Sequence, residues 1–310
     1  MDAGSIFEED PRECWLLIDG NNILVRAIKA LENSGLSADG VPTGALHAFI
    51  QSIAKQIRAC EPDRVVVCWD GGHAYRSALF PGYKQGRAGR GYLLEGQENN
   101  PFAMAKEFLA IANIHHVLMP GVEADDLIAH YCRERGDARV VIYSGDKDLF
   151  QLLDLEGEVT QVRPGDSLWT GARVISEREC TPEQLPMVMA LMGDTSDGIP
   201  GVRGIGIKTA VKLLSAHHWR LSELLDADVP RLAGMRDEVL RNYALVNLRD
   251  NDQGLHLPSL PNFEPTEPDG PLGDALEAFF VRYELHTIEA KWFRRWLWRD
   301  PEEIQEVLDT

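Results

Sequence analysis

Short apolar runs alternate with amphipathic helical segments along the first half of the sequence, and this alternation is the feature that most constrains the fold. The runs have the length of buried strands, and they are WLLI at 15–18, RVVVCW at 64–69, HHVLMP at 115–120 and RVVIY at 139–143. Helical spacing of apolar residues fills the intervals, over residues 23–31, 44–60, 102–113 and 121–135. Strands that alternate with helices predict an α/β fold with a mostly parallel central sheet flanked by helices.

Acidic residues follow each of the four predicted strands. They are Asp19, then Asp70, then Glu123, Asp125 and Asp126, and finally Asp146 and Asp148. Because the carboxyl ends of parallel strands meet at one edge of a sheet, where ligands bind in open α/β folds, we expect these side chains to converge. Massed carboxylates repel one another, and a divalent cation such as Mg²⁺, which prefers oxygen ligands, removes that repulsion. The pattern therefore predicts a metal site.

The segment GVEADDLIAH, residues 121–130, has a plainer interpretation when it is taken alone. Acidic residues are favoured in the first turn of a helix, where the helix dipole and the free N–H groups stabilise negative charge. The segment could therefore be only the beginning of a helix. Acidic residues after four separate strands favour the metal site.

A second motif lies in the segment GIPGVRGIGIKTAVKLL, residues 198–214, which has the spacing of a helix-hairpin-helix. Gly204 and Gly206 allow the hairpin backbone to approach a phosphate and to present N–H groups to it. Positive charge is supplied nearby by Arg203, Lys208 and Lys212, whereas Ala210, Leu213 and Leu214 form the packing face. Just before the hairpin, Asp194 and Asp197 are three residues apart, one helical turn, which would allow them to face the same ion.

Composition narrows the class of protein. The formal net charge is −18, from 31 Lys and Arg against 49 Asp and Glu, which argues against a surface uniformly coated in positive charge. The five cysteines form no CxxC pair, so we expect reduced thiols. No apolar run approaches membrane-spanning length, and the acidic N-terminus is unlike a signal peptide, so we expect a cytoplasmic protein.

The chain resembles the 5′-nuclease superfamily, which comprises the flap endonucleases, the bacteriophage 5′-3′ exonucleases and the 5′-nuclease domain of bacterial DNA polymerase I. Five segments carry the resemblance in the family's order, from residue 15 to about 215: LLIDGNNILVRA, VCWDGGHAYRSALFPGYKQGR, GVEADDLIAHY, SGDKDLFQLL and GDTSDGIPGVRGIGIKTAVKLL. The resemblance implies a PIN-like nuclease core over 15–187 with a helical arch at about 82–103. It further implies a helix-hairpin-helix region over 188–258, with an acidic extension at 1–14 and a C-terminal segment, 259–310, that packs back on the core.

The resemblance also implies a reaction, the hydrolysis of DNA phosphodiesters at 5′ ends and flaps to give 5′-phosphate and 3′-hydroxyl products. Two or three Mg²⁺ or Mn²⁺ ions would be held by an inner set, Asp19, Asp70, Glu123, Asp125 and Asp146, and by an outer set, Asp126, Asp148, Asp194 and Asp197. Asp70 and Asp146 would be central to catalysis. A K⁺ ion at the helix-hairpin-helix is a further implied cofactor.

The segment FPGYKQGR supplies the implied contacts to the scissile phosphate. Lys84 and Arg87, three apart and able to share a helix face, resemble the family's pair at the base of the arch. Tyr83 would stack on the terminal unpaired base. Arg26 and Arg76 match basic positions that bind DNA near the site. An isolated YKxxR would be only a solvated surface turn.

The implied partner is DNA with 5′ single-stranded ends, flaps or nicks, bound by a monomeric, stand-alone nuclease in a bacterial cell or a phage-infected host. Two alternatives stay open: a nuclease that acts mainly on RNA primers or RNA–DNA hybrids, and a catalytically silent module that binds junctions. The stretch KWFRRWLWRD, residues 291–300, fits either a nucleic-acid binding strip or an amphipathic helix docked on the core, and we favour the helix.

Overall fold

The computed structural model describes residues 12–31, 35–85, 100–165, 167–250 and 271–288 of the 310-residue chain. Its strands are β1 Cys14–Asp19, β2 Ser37–Ala38, β3 Val41–Pro42, β4 Arg64–Trp69, β5 His115–Leu118, β6 Arg139–Tyr143, β7 Val159–Arg163 and β8 Ser167–Trp169. Its α-helices are α1 Gly20–Leu31, α2 Gly44–Cys60, α3 Ala74–Leu79, α4 Pro101–Ile111, α5 Ala124–Arg133, α6 Gly171–Arg178, α7 Leu185–Met192, α8 Ile207–Ala216, α9 Leu221–Asp226, α10 Arg236–Val246 and α11 Pro271–Arg282.

The described residues divide into two compact units. The first contains the described residues up to 68 together with 100–117 and 271–288, and the second contains 69–85 and the described residues from 118 to 250. The division of the chain into a core, a hairpin region and a returning C-terminal segment stays a prediction.

The first unit is built on the strand order β5-β4-β1. β1 pairs with β4 in parallel, with Trp15 opposite Arg64 and Asp19 opposite Cys68. Every residue of β1 is buried, which is expected of a parallel strand covered on both faces. α11 packs on α4, where Phe108 stacks on Phe280 with ring centroids 6.2 Å apart.

The second unit has the strand order β6-β7-β8. β6 and β7 pair in parallel, and β8 returns antiparallel to β7. After β6, a 3₁₀-helix over Asp148–Leu152 carries Gln151, which is fully buried. Gln151 Nε2 donates to the carbonyl oxygens of Asp148 and Val246, at 2.8 and 3.0 Å. This side chain therefore ties the segment after β6 to the end of α10.

The helix-hairpin-helix predicted from glycine spacing is formed by α7 and α8 and the loop between them. Ala210 and Leu214 of α8 are fully buried, as their assignment to the packing face requires, and Leu213 is half-buried. In the loop, Val202 and Ile205 turn inward, so the intervening residues face outward. Apolar anchors at both ends of the hairpin hold its backbone in place.

The α/β class with mostly parallel strands is confirmed, and the four predicted strands correspond to β1, β4, β5 and β6. All five cysteines are buried free thiols. Within the described ranges, no helix has the length and hydropathy needed to cross a bilayer. The arch residues 86–99 and the stretch 291–300 lie outside the described residues.

Candidate active site

The second unit carries eight of the nine acidic residues predicted as metal ligands, since only Asp19 falls in the first unit. Asp70 directly follows β4, and its Oδ1 accepts the backbone N–H of Ala124 at 2.8 Å, at the beginning of α5. Asp146 follows β6, and its Oδ1 accepts the backbone N–H of Asp148 at 2.9 Å. Each carboxylate is therefore held in place by a hydrogen bond from a nearby backbone N–H group.

Three of the acids form a compact group. Asp148, Asp194 and Asp197 each offer a carboxylate oxygen, and these oxygens lie within 4.8 Å of one another. Burial, together with repulsion from Asp146, Asp194 and Asp197, raises the pKa of Asp148 well above its ordinary value. Hard oxygen donors held together against their mutual repulsion are the donor set that Mg²⁺ or Mn²⁺ prefers, so these residues fit a divalent metal ion.

The loop that carries Asp194 and Asp197 is not helical, which corrects the expectation of one helical turn. Asp194 and Ile199 exchange backbone hydrogen bonds of 2.9 and 2.7 Å across a β-bridge. Ser196 donates both its backbone N–H and its hydroxyl to Asp194 Oδ1, each at 2.7 Å. The two carboxylates meet because the chain turns between them.

Glu123 lies at the N-cap position of α5 and is surrounded by donors. Its carboxylate accepts from Arg76 Nη1 at 2.6 Å, from the Tyr83 hydroxyl at 3.0 Å, and from Lys84 Nζ. Burial alone would raise the pKa of Glu123, but the charges of Arg76 and Lys84 outweigh burial and hold it below its ordinary value. Glu123 is therefore a stable carboxylate at neutral pH.

Lys84 and Tyr83 connect this donor cluster with the three-acid group. Lys84 Nζ lies 3.6 Å from Asp197 Oδ2, and the Tyr83 hydroxyl lies 3.0 Å from the same oxygen. Burial alone would lower the pKa of Lys84, but Glu123 and Asp197 raise it above its ordinary value, so the ammonium stays charged. Lys84 lies in a turn with φ of 52°, not on a helix face, and Arg87 lies outside the described residues.

Three residues with predicted roles are buried in this structure, and their contacts do not favour those roles. Tyr83 is only 4 % exposed, so the face of its ring is not free to stack on a base. Arg76, also 4 % exposed, contacts acids inside the protein and is not on a surface that could meet DNA. Asp126 gives both carboxylate oxygens to Arg76, which disfavours it as a metal ligand.

The hairpin presents the residues predicted to bind phosphate. Arg203, Gly204, Gly206, Lys208 and Lys212 are all exposed. Gly204 has a φ of 78°, in the left-handed region, and Gly206 is the N-cap of α8. An exposed helix N-terminus flanked by lysines can accept an anion. Arg26 is exposed on α1 in the first unit, and Asp125 is half-buried in the first turn of α5.

Two residues that support the site were missed by sequence reasoning. Asn242 is fully buried on α10 and donates through Nδ2 to the carbonyl oxygens of Ala190 and Pro200, at 3.2 and 2.7 Å. Gln151 is the second. A sequence signal existed for Asn242, because it stands midway between Val239 and Leu245 in the buried stripe of α10.

Comparison with known proteins identifies relatives of this chain. A family model described as the 5′-3′ exonuclease N-terminal resolvase-like domain matches residues 14–184, and one described as the 5′-3′ exonuclease C-terminal SAM fold matches residues 180–263. The chain is 36% identical to a 5′-3′ exonuclease of Bacillus subtilis over 64% of this chain and 69% of that protein. It is 31% identical to a 5′-3′ exonuclease of Aquifex aeolicus over 75% of this chain and 80% of that protein.

Longer relatives and solved structures extend the comparison. The thermostable DNA polymerase I of Thermus aquaticus is 31% identical over 90% of this chain, which spans only 33% of that polymerase. The fold is similar to that of a T5 5′-exonuclease structure with bound zinc, with a TM-score of 0.63, 22% identity, and 76% and 90% of the two chains covered. It is also similar to flap endonuclease-1 from Methanococcus jannaschii, with a TM-score of 0.56, 18% identity, and 92% of each chain covered. This chain belongs to the 5′-3′ exonuclease family.

Proposed function

We propose that this protein is a structure-specific 5′ nuclease that hydrolyses DNA phosphodiesters at or near 5′ ends and flaps and depends on Mg²⁺ or Mn²⁺. The observation that carries the proposal is the three-acid group of Asp148, Asp194 and Asp197, joined through Tyr83 and Lys84 to the cluster at Glu123. A purely structural group would gain nothing from three carboxylates whose oxygens lie within 4.8 Å of one another, whereas a bound cation would remove their mutual repulsion. The products would carry a 5′-phosphate and a 3′-hydroxyl.

The metal ions would be held by Asp148, Asp194 and Asp197 and by the acids at the ends of β4 and β6 and at the beginning of α5. Those further ligands are Asp70, Asp146, Glu123 and Asp125, and the role of Asp19 as a ligand stays a prediction from the sequence. When bound, divalent cations supply Lewis acidity to the phosphodiester and lower the pKa of the attacking water. The arrangement of the acids on either side of Lys84 favours more than one ion.

The chain's own cation contributes a second kind of stabilisation. Lys84 keeps its proton because Glu123 and Asp197 raise its pKa, so it would present a full positive charge to the scissile phosphate. Charge that is fixed before the reaction stabilises a developing oxyanion without reorganisation cost. Arg87 would add a second cation, and Asp70 and Asp146 would act with the metal ions in catalysis.

DNA affinity would come from a restricted set of cations, because the chain as a whole is acidic. Arg203, Lys208 and Lys212 on the hairpin would bind backbone phosphates, together with N–H groups near Gly204 and Gly206, and Arg26 would add a further contact. A K⁺ ion held by hairpin carbonyl oxygens would strengthen phosphate binding there. The protein would act as a monomer.

The test is cleavage of a 5′-labelled flap duplex with and without Mg²⁺. Asp70→Asn is the informative variant because its amide oxygen can still accept the Ala124 N–H, so the beginning of α5 is preserved while a charge is lost. Asp137→Asn, at an exposed position, is the matched control. We expect Mg²⁺-dependent release of short 5′ products by the unsubstituted protein and by Asp137→Asn, and loss of cleavage with Asp70→Asn.

Other results would point elsewhere. Ligation of the trimmed strand to an upstream 3′-hydroxyl would establish the 5′-phosphate product. Preferential cleavage of a matched RNA 5′ strand would replace the DNA substrate by an RNA one. Binding of the flap without cleavage under any divalent metal would contradict the proposal and identify a junction-binding protein.

A further inference from the structure

Arg76 is not a metal ligand, yet its side chain is buried and extensively hydrogen-bonded beside the acidic residues of the site. It is only 4 % exposed, and its guanidinium makes four hydrogen bonds. Nη1 and Nη2 donate to the two carboxylate oxygens of Asp126, at 2.6 and 2.8 Å. Nη1 also donates to Glu123 Oε2 at 2.6 Å, and Nε donates to the carbonyl oxygen of Leu245 at 2.8 Å.

These four bonds join three separate elements of the second unit. Arg76 lies on α3, Glu123 and Asp126 begin α5, and Leu245 lies in the last turn of α10. A cation is favoured near a helix C-terminus and carboxylates near a helix N-terminus, so the guanidinium complements the end of α10, while Glu123 and Asp126 complement the beginning of α5. The contact is therefore electrostatically suited to its place and is not an accident of packing.

We propose that Arg76 is a positioning residue of this site, and that Asp126 acts through Arg76 by fixing its guanidinium, without binding a metal ion itself. This inference rests on the proposed function. Arg76 holds the Glu123 carboxylate from one side, and Lys84 and Tyr83 hold it from the other. Asp126 accepts hydrogen bonds from Nη1 and Nη2 of the guanidinium, and these bonds fix the direction from which Arg76 approaches Glu123.

An arginine is needed for this task because of its shape. The planar guanidinium can bind both oxygens of Asp126 while still reaching Glu123 and the carbonyl oxygen of Leu245. A lysine would keep the buried positive charge but could not make this set of bonds from one ammonium group. Arg76→Lys therefore separates the geometry of the contact from its charge.

The test measures Mg²⁺ binding in the absence of DNA by isothermal titration calorimetry. Groups that orient metal ligands typically change metal affinity about 10- to 100-fold when they are replaced. We expect Arg76→Lys and Asp126→Asn each to weaken Mg²⁺ binding by a factor in this range, with an unchanged number of ions bound. Arg133→Lys is the matched control, because Arg133 also donates to carbonyl oxygens beyond α10, those of Leu248 and Arg249.

The double variant distinguishes the proposed role from a direct one. If Asp126 acts through Arg76, the two substitutions together will weaken Mg²⁺ binding no more than the stronger single substitution. Effects that multiply, or a smaller number of bound ions in Asp126→Asn, would identify Asp126 as a ligand and overturn the inference. Wild-type Mg²⁺ affinity in Arg76→Lys would overturn it as well.

Two further readouts keep the outcome decisive. Urea unfolding of each metal-free variant shows whether the protein is folded at the titration temperature, and a purely structural role would lower stability without changing Mg²⁺ affinity. Should Arg76→Lys not fold, Asp126→Asn, which changes almost no volume, decides the question by its affinity and stoichiometry. Because the titration contains no DNA, a protein that binds Mg²⁺ as expected but cleaves no flap would refute the proposed function and leave this inference standing.

Discussion

The backbone N–H of Lys84 donates to the carbonyl oxygen of Asp197 at 2.8 Å, and this bond fastens the turn at residues 81–85 to the loop of the three-acid group. Gly198, the next residue, lies against the same turn. Its φ is 74°, and a Cβ built on it would come within 3.0 Å of the carbonyl oxygen of Gly82. The cation Lys84 and the acid Asp197 are thus held together by backbone as well as by charge.

This contact predicts that Gly198→Ala lowers the free energy of unfolding more than an alanine substitution at a glycine that has a similar left-handed backbone but no nearby atoms. Gly136 provides the comparison, since its φ is 62° and nothing lies within 4 Å of an added Cβ. Left-handed backbone costs an alanine about 1 kcal/mol at either position. Gly198→Ala should lose roughly a further 1 kcal/mol in the free energy of unfolding by urea, because the turn must shift. Equal losses would show that turn and loop separate easily.

Asn242 predicts a second stability effect with a consequence for the hairpin. Replacing it with leucine leaves the buried carbonyl oxygens of Ala190 and Pro200 without their donor, which should cost about 1–3 kcal/mol in the free energy of unfolding. Asn242→Asp should cost more, because it directs a carboxylate at both oxygens. Urea unfolding of the two variants tests this order. A leucine variant as stable as the unsubstituted protein would mean that other groups satisfy those carbonyls.

Asp148 predicts a pH-dependent stability of the metal-free protein. Its pKa is raised in the folded state, so the folded protein binds this proton more tightly than the unfolded chain does, and ionisation costs stability as the pH rises above about 4. Asp148→Asn removes that cost. At pH 7–8, in the presence of a chelator, we expect it to raise Tm by roughly 2–4 °C, equivalent to about 1 kcal/mol.

The same variant should lose its advantage in two conditions. Lowering the pH toward 4 protonates Asp148 in the unsubstituted protein, so the difference in Tm should shrink. Saturating Mg²⁺ stabilises the unsubstituted protein by mass action and should also narrow the difference. Thermal scans across pH, with Asp137→Asn as control, measure both effects. A destabilised Asp148→Asn at every pH would contradict the repulsion between Asp148 and its acidic neighbours.

Much of this fold could be predicted because its signals are local. The runs that became β1, β4 and β6 are continuous apolar segments, and the acids follow them directly in the sequence. The spacing of Gly204 and Gly206 predicts the hairpin, because the turn requires a particular backbone conformation over only a few residues. Such features are encoded within about ten neighbouring positions, which a sequence pattern can report.

The contacts of the site could not be predicted in the same way, because they join distant parts of the chain. Arg76 binds Glu123 and Asp126, 47 and 50 residues away, and Leu245, 169 residues away. In the sequence, Arg76 is only one basic residue near an acidic motif, and this position predicts a DNA contact. Asp194 and Asp197 have helical spacing, but the bridge between Asp194 and Ile199 forms a turn instead.

The proposed function predicts that substitutions of two lysines, Lys84 and Lys208, affect different properties, the cleavage rate and the DNA affinity. Lys84→Met removes the half-buried cation beside Glu123 and Asp197, and it should lower the single-turnover cleavage rate at saturating DNA by about 100-fold. Lys208→Met removes an exposed hairpin cation and should act mainly on affinity, reducing the slope of log affinity against log salt by about one. Flap cleavage in single turnover, and flap binding in Ca²⁺ between low and moderate salt, measure the two effects. If Lys84→Met altered only the salt dependence, or if binding by the unsubstituted protein did not fall with salt, then the division of labour between a catalytic cation and a phosphate-binding hairpin would be wrong.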